Sequence, residues 1–136
     1  MPKAPDPAKD ILRAAKRGET AAVAALLDQD ASLLNARDTD GSTPLHCASW
    51  KGHTETVQLL IERGADIEAT NENDHWGDRP LHAAAHGNQR AVALLLVEAG
   101  ADVNAKNAGG RTPLDETTFH KATAAARVLR AAGATG

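Results

Sequence analysis

The chain has 136 residues, with 15 Lys+Arg set against 18 Asp+Glu. That length suits one domain, and the near balance of charge argues against a dedicated binder of nucleic acid or of anionic membrane, which carries a basic excess. The one cysteine, Cys47, cannot close an internal disulfide, so a reducing, cytoplasmic setting is expected.

Residues 1–9, with Pro2, Pro5 and Pro7, read as a short disordered tail. The opening "MPKAPDPAKD" has no apolar centre of a signal peptide, and no run of about eighteen apolar residues exists to span a membrane. A looser helical pattern follows in "ILRAAKRGETAAVAALLDQDASLLNARD". "TPLH" at 43–46 then gives a helix start, with Thr43 as N-cap and Pro44 at the first helical position. Gly52 permits a left-handed turn, and a second helix, "TETVQLLIER", stops at Gly64. The polar stretch "ATNENDHWGD" carries Trp76 and leads into "RPLH" at 79–82, where Arg79 stands in place of the capping Thr. Asn88 takes the turn, "RAVALLLVEA" the second helix and Gly100 its end. "TPLD" at 112–115 starts the last unit, with Asp115 in place of His, and "VLRAAGA" closes it at Gly133.

Leu45, Leu81 and Leu114 are spaced by 36 and 33 residues, and so are Gly64, Gly100 and Gly133. Two independent markers in one register indicate an internal repeat. The first segment joins it with Ile11 for Leu45, Gly18 for Gly52 and Val23 for Val57. This unit closely resembles the ankyrin repeat, about 33 residues with a T-P-L-H-x-A signature. The resemblance covers residues 10–134 as four repeats (10–37, 38–70, 71–106 and 107–134), the outer two acting as caps, with 135–136 as a tail. It implies an all-α solenoid of helix-turn-helix units with projecting hairpin loops. Hairpin tips and first helices would form a concave surface. It also implies that His46 and His82 hydrogen-bond backbone between neighbouring hairpins, with His53 similar. Arg130, in the register of Ile61 and Val97, gives the last unit the polar outer face a cap needs.

The aromatics carry the functional reading. There are three, Trp50, Trp76 and Phe119. Counting from Ala36, Ala69 and Ala105 to Gly41, Gly77 and Gly110 gives gaps of 5, 8 and 5, so the middle hairpin has three extra residues near 72–74 and Trp76 lies near its tip. Trp50, His86 and Phe119 each lie five residues after the shared leucine, which the resemblance places on the concave face. Trp is enriched at binding hot spots, and apolar patches in water mark contact sites. The expected partner-binding set is Trp50, Trp76 and Phe119, surrounded by Asp40, Ser42, Lys51, His75, Asp78, His86, Arg111 and His120. Packing of Trp76 on its own loop, and of Trp50 on a neighbouring hairpin, is the competing role.

Other chemistry is sparse. His82 and His86 have zinc-capable spacing, but "HAAAH" lacks the catalytic Glu and His82 belongs to the signature, so no metal is expected. Glu72, Asp74 and Asp78 do not match calcium-loop spacing. Cys47 reads as a small packed thiol. No phosphate loop, serine elbow or carboxylate pair remains outside the repeats. The chain is therefore read as a non-enzymatic, monomeric protein-interaction module without cofactor, nucleic acid or membrane. The alternatives are a self-associating structural module, or a small-ligand or metal binder around His75, Trp76, His82 and His86.

Overall fold

The computed structural model describes residues 6–71 and 77–135. These form helix pairs α1 (Pro7–Arg17) and α2 (Thr20–Gln29), α3 (Pro44–Lys51) and α4 (Thr54–Glu62), α5 (Pro80–His86) and α6 (Arg90–Glu98), and α7 (Pro113–Phe119) and α8 (Thr123–Ala131). A 3-10 turn, Ala31–Asn35, follows α2. No strand occurs among the described residues. The first helices α1, α3, α5 and α7 pack side by side in that order, and α2, α4, α6 and α8 form a second layer behind them.

The repeat register explains the core. Ile11, Leu45, Leu81 and Leu114 are buried at equivalent places in the first layer, and Leu60, Leu96 and Leu129 in the second. Three residues further on in the first layer, Ala14, Ala48, Ala84 and Thr117 are all buried, and their small side chains let first helices approach closely. Each helix pair turns through a left-handed residue: Gly18, Gly52, Asn88 and Lys121, with φ of 73°, 79°, 54° and 56°. Asn tolerates this conformation through its short polar side chain.

Polar bridges tie each repeat to the next. The backbone N–H of Thr43 and its hydroxyl both meet Nδ1 of His46, at 3.2 and 2.8 Å. With Nδ1 accepting from the backbone, the ring proton sits on Nε2, which donates to the carbonyl of Asp78 at 2.8 Å. His82 repeats the arrangement: Nδ1 accepts from Arg79 N–H at 3.1 Å and Nε2 donates to the Arg111 carbonyl at 2.9 Å. A second row crosses at the helix turns, where His53 Nε2 reaches the Lys16 carbonyl at 2.8 Å and Gln89 Nε2 donates to the Trp50 carbonyl at 3.1 Å.

One sequence expectation needs adjustment. Helix α1 begins at Pro7, inside the stretch read as tail, because Asp6 caps the Lys9 N–H and Pro7 fits a first turn. Residues 1–5 lie outside the described residues. Arg79 gives no side-chain cap, as its guanidinium cannot accept. Its guanidinium instead pairs with Glu68, which also accepts from the Asp102 N–H at 3.1 Å and so links to the next hairpin. Asp115 keeps the reciprocal cap with Thr112, though an acceptor-only carboxylate cannot supply the onward N–H bridge of His46 and His82. The three-residue insertion is present: hairpins close between residues 38 and 42, 107 and 111, but 71 and 78.

His82→Ala leaves the Arg79 N–H and the Arg111 carbonyl without their imidazole, and should cost about 1–3 kcal/mol, read from the urea midpoint. Burial lowers the pKa of His46 below its ordinary 6.5. As pH falls through the ordinary value, the unfolded chain gains a proton that the folded imidazole refuses. This contribution to stability is complete above 6.5 and declines below it, by at most about 1.4 kcal/mol per pH unit, until the lower folded pKa is passed. Urea midpoints of wild type and His46→Gln, compared from about pH 7 to about pH 5, should show a shallower slope in the variant.

Candidate functional site

Hairpin bases and the C-terminal ends of α1, α3 and α5 enclose a groove of about 490 Å³. Its floor comes from helices, since His46, Cys47 and Ala83 project from first turns started by Pro44 and Pro80. Its wall comes from hairpins. Asp38 Oδ1 accepts from the N–H groups of Asp40 and Ser42, each at 2.9 Å, and Oδ2 faces Lys16 Nζ at 3.6 Å. Ser42 Oγ accepts from Asn71 Nδ2 at 2.5 Å, and one repeat later Asp78 Oδ1 accepts from Asn107 Nδ2 at 2.9 Å. Cys47 donates weakly toward Asp38 Oδ2 at 3.9 Å. Burial, assisted by the Asp38 charge, pushes its thiol up to about 11. A thiol that holds its proton at neutral pH is a packing group, not a nucleophile.

A row of rings extends from the groove across three repeats. Trp50 is 50% exposed and meets His86 edge-on at 6.0 Å between centroids. His86 lies against His120 at 3.9 Å, and His120 meets Phe119, 71% exposed, at 5.3 Å. Cations frame the row, with Lys51 Nζ 4.9 Å from the Trp50 ring and the Arg111 guanidinium 4.4 Å from that of Phe119. Such contacts hold flat apolar surfaces in place while leaving one face to solvent.

Of the residues chosen from sequence, Asp40, Ser42, Trp50, Lys51, Asp78 and His86 line the groove. Arg111, Phe119 and His120 continue the ring row. His75 and Trp76 lie outside the described residues. Trp50 borders the turn between α5 and α6 rather than a hairpin: a Cβ built on Gly87 would stand 3.2 Å from its indole Cδ1 and 2.5 Å from its carbonyl oxygen. His82 has both ring nitrogens committed to backbone, so it does not join His86 in a ligand pair. Sequence reasoning missed Asp38 and Asn71 in the groove wall. Their shared place with Asn107, two residues after Ala36, Ala69 and Ala105 in hairpins of different length, was the available signal.

Comparisons with known proteins agree with this architecture. A family model described as ankyrin repeats (3 copies) matches residues 11–71, and another, ankyrin repeats (many copies), matches 51–97 and 81–129. The human ankyrin repeat domain-containing protein 49 is 44% identical over 64 residues, covering 47% of this chain and 27% of that protein. The serine/threonine-protein kinase VIK of Arabidopsis thaliana is 48% identical over 59 residues, 43% of this chain and 14% of the kinase. A transient receptor potential cation channel subfamily A member 1 homolog of Caenorhabditis elegans is 46% identical over 57 residues, 42% of this chain and 5% of the channel. The matches thus span about a quarter or less of these relatives. The chain belongs to the ankyrin repeat family, whose members are generally protein-interaction modules and typically not catalytic. Among the described residues, no helix is long and apolar enough to cross a membrane.

Gly87 has φ of –82°, which any residue adopts, so Gly87→Ala tests packing rather than backbone strain. The added methyl should displace Trp50 and cost about 1–3 kcal/mol. Fluorescence in a Trp76→Phe background should show a changed Trp50 emission.

Proposed function

We propose that this ankyrin-repeat chain is a non-enzymatic module that binds a protein partner along the groove and the ring row beside it. The supporting observation is the row Trp50, His86, His120 and Phe119. In a core made of Ala, Leu, Val and Ile, the described large aromatics stand on one face with half or more of their surface in water. Leaving them there opposes the hydrophobic effect, and contact with a partner would recover that burial.

The groove carries both signs of charge. Lys16 and Lys51 stand beside Asp38, Asp40 and Asp78, a polar setting around apolar anchors that suits a peptide or loop of mixed charge. Asp40 and Lys51 are exposed and act on selectivity. Ser42 and Asp78 are half-buried in the hairpin ladder and act by shaping the wall. Arg111 holds the ring of Phe119, and His75 and Trp76 would extend the surface from the lengthened hairpin. Binding by a stacked solenoid sacrifices little conformational entropy, since the helices carrying the anchors are already packed. The module is proposed to act as a cytoplasmic monomer, without engaging nucleic acid or membrane.

Peptides selected from a random display library against the wild-type chain provide a partner of known sequence. Trp50→Ala and Phe119→Ala, checked as folded by circular dichroism, should each weaken such a peptide by about 2 kcal/mol or more. Unchanged affinity in both would sink the assigned surface. Sedimentation over a concentration series should give a constant monomer mass, whereas a rise toward dimer would favour self-association through the same rings.

A further inference from the structure

The ring row contains a set of atoms that a protein-binding role does not require. Glu116 is buried in α7, only 7% exposed. A buried carboxylate is costly unless its lone pairs are engaged. Arg111 Nε approaches Oε1 at 3.2 Å, and Oε2 faces His120 Nε2 at 3.5 Å. His120 caps the C-terminus of the same helix, four residues on, so the two side chains share a face. His86 comes from the end of α5, one repeat away, and lies against His120. One donor atom each from His86, Glu116 and His120 falls within 4.8 Å of the others.

We propose that His86, Glu116 and His120 bind a divalent transition metal ion, with zinc as the best fit. Two imidazoles and one carboxylate form a zinc-type donor set, whereas calcium and magnesium prefer oxygen alone. Four ligands about 2.0–2.1 Å from a tetrahedral ion stand roughly 3.3 Å apart. The Glu116–His120 pair is close to that spacing already. His86 and His120 are exposed, and rotation of their side chains closes the remainder. Arg111 supports the site as an outer partner: it fixes Oε1 and leaves Oε2 directed at the histidines. Its positive charge also opposes the ion, so the site is of moderate affinity. A fourth position is left for water.

The reading reverses the expectation of no metal drawn from sequence. That expectation weighed His82 with His86 on one helix, and His82 is committed to the hairpin bridge. The ligands instead converge from two repeats, which linear spacing does not display. The inference does not depend on the protein-binding reading.

The test is calorimetric titration of the full chain with zinc chloride, and separately with calcium chloride. One zinc per chain is expected, with no calcium heat. His86→Gln and His120→Gln alter exposed side chains, and with unaltered circular dichroism each should weaken zinc at least about tenfold. Glu116→Gln, where it folds, should do the same. Absence of zinc binding overturns the proposal. So does undiminished affinity in either histidine variant, which would place the ion elsewhere.

Discussion

The solenoid depends on a buried imidazole that faces two ways. His46 and His82 are almost fully buried. Nδ1 closes the start of each one's own helix, while Nε2 reaches the backbone of the following hairpin. One side chain thus joins local structure, the helix cap, to tertiary structure, the stacking of repeats. A hydroxyl could serve the cap, and an ammonium the carbonyl. Only the neutral imidazole offers an acceptor and a donor on opposite sides of one rigid ring. The hairpins therefore stand at a fixed height above the helices, and this sets the groove wall.

From that constraint the placing of aromatics follows. Close stacking of first helices suits the small buried side chains of Ala14, Ala48 and Ala84, and a bulky ring at these positions would hold the helices apart. Among the described residues the large rings, Trp50 and Phe119, stand where helices end, at the position five after the shared leucine. Trp50 and Phe119 occupy it, and His86 does so between them. The register that repeats this position from unit to unit sets Trp50, His86 and Phe119 in one row.

Much of this was legible because repeats write the same physics several times. Leu45, Leu81 and Leu114, the glycine ends and the two-faced histidines could each be checked against their copies. The fold, the bridges and the insertion followed. What was not legible broke the copying. The start of α1 has no Thr-Pro, and Asp6-Pro7 performs the same job unrecognised. Glu116 occupies a slot filled by Cys47 and Ala83 elsewhere, so its meeting with His86 across the repeat boundary had no counterpart. Asp38 and Asn71 are loop residues whose role depends on hairpin closure, a distance that sequence spacing does not supply.

The lengthened hairpin is where the ladder is least satisfied. Asp38 and Asn107 each use a side-chain oxygen to accept two loop N–H groups. Asn71, in the same place, has Oδ1 buried with no partner among the described residues, and so has Arg79 Nε. Both flank the insertion. An unmet buried polar atom costs on the order of 1–3 kcal/mol. The stacking bridges His46 to Asp78 and His82 to Arg111 are formed all the same, and they join this repeat to both neighbours.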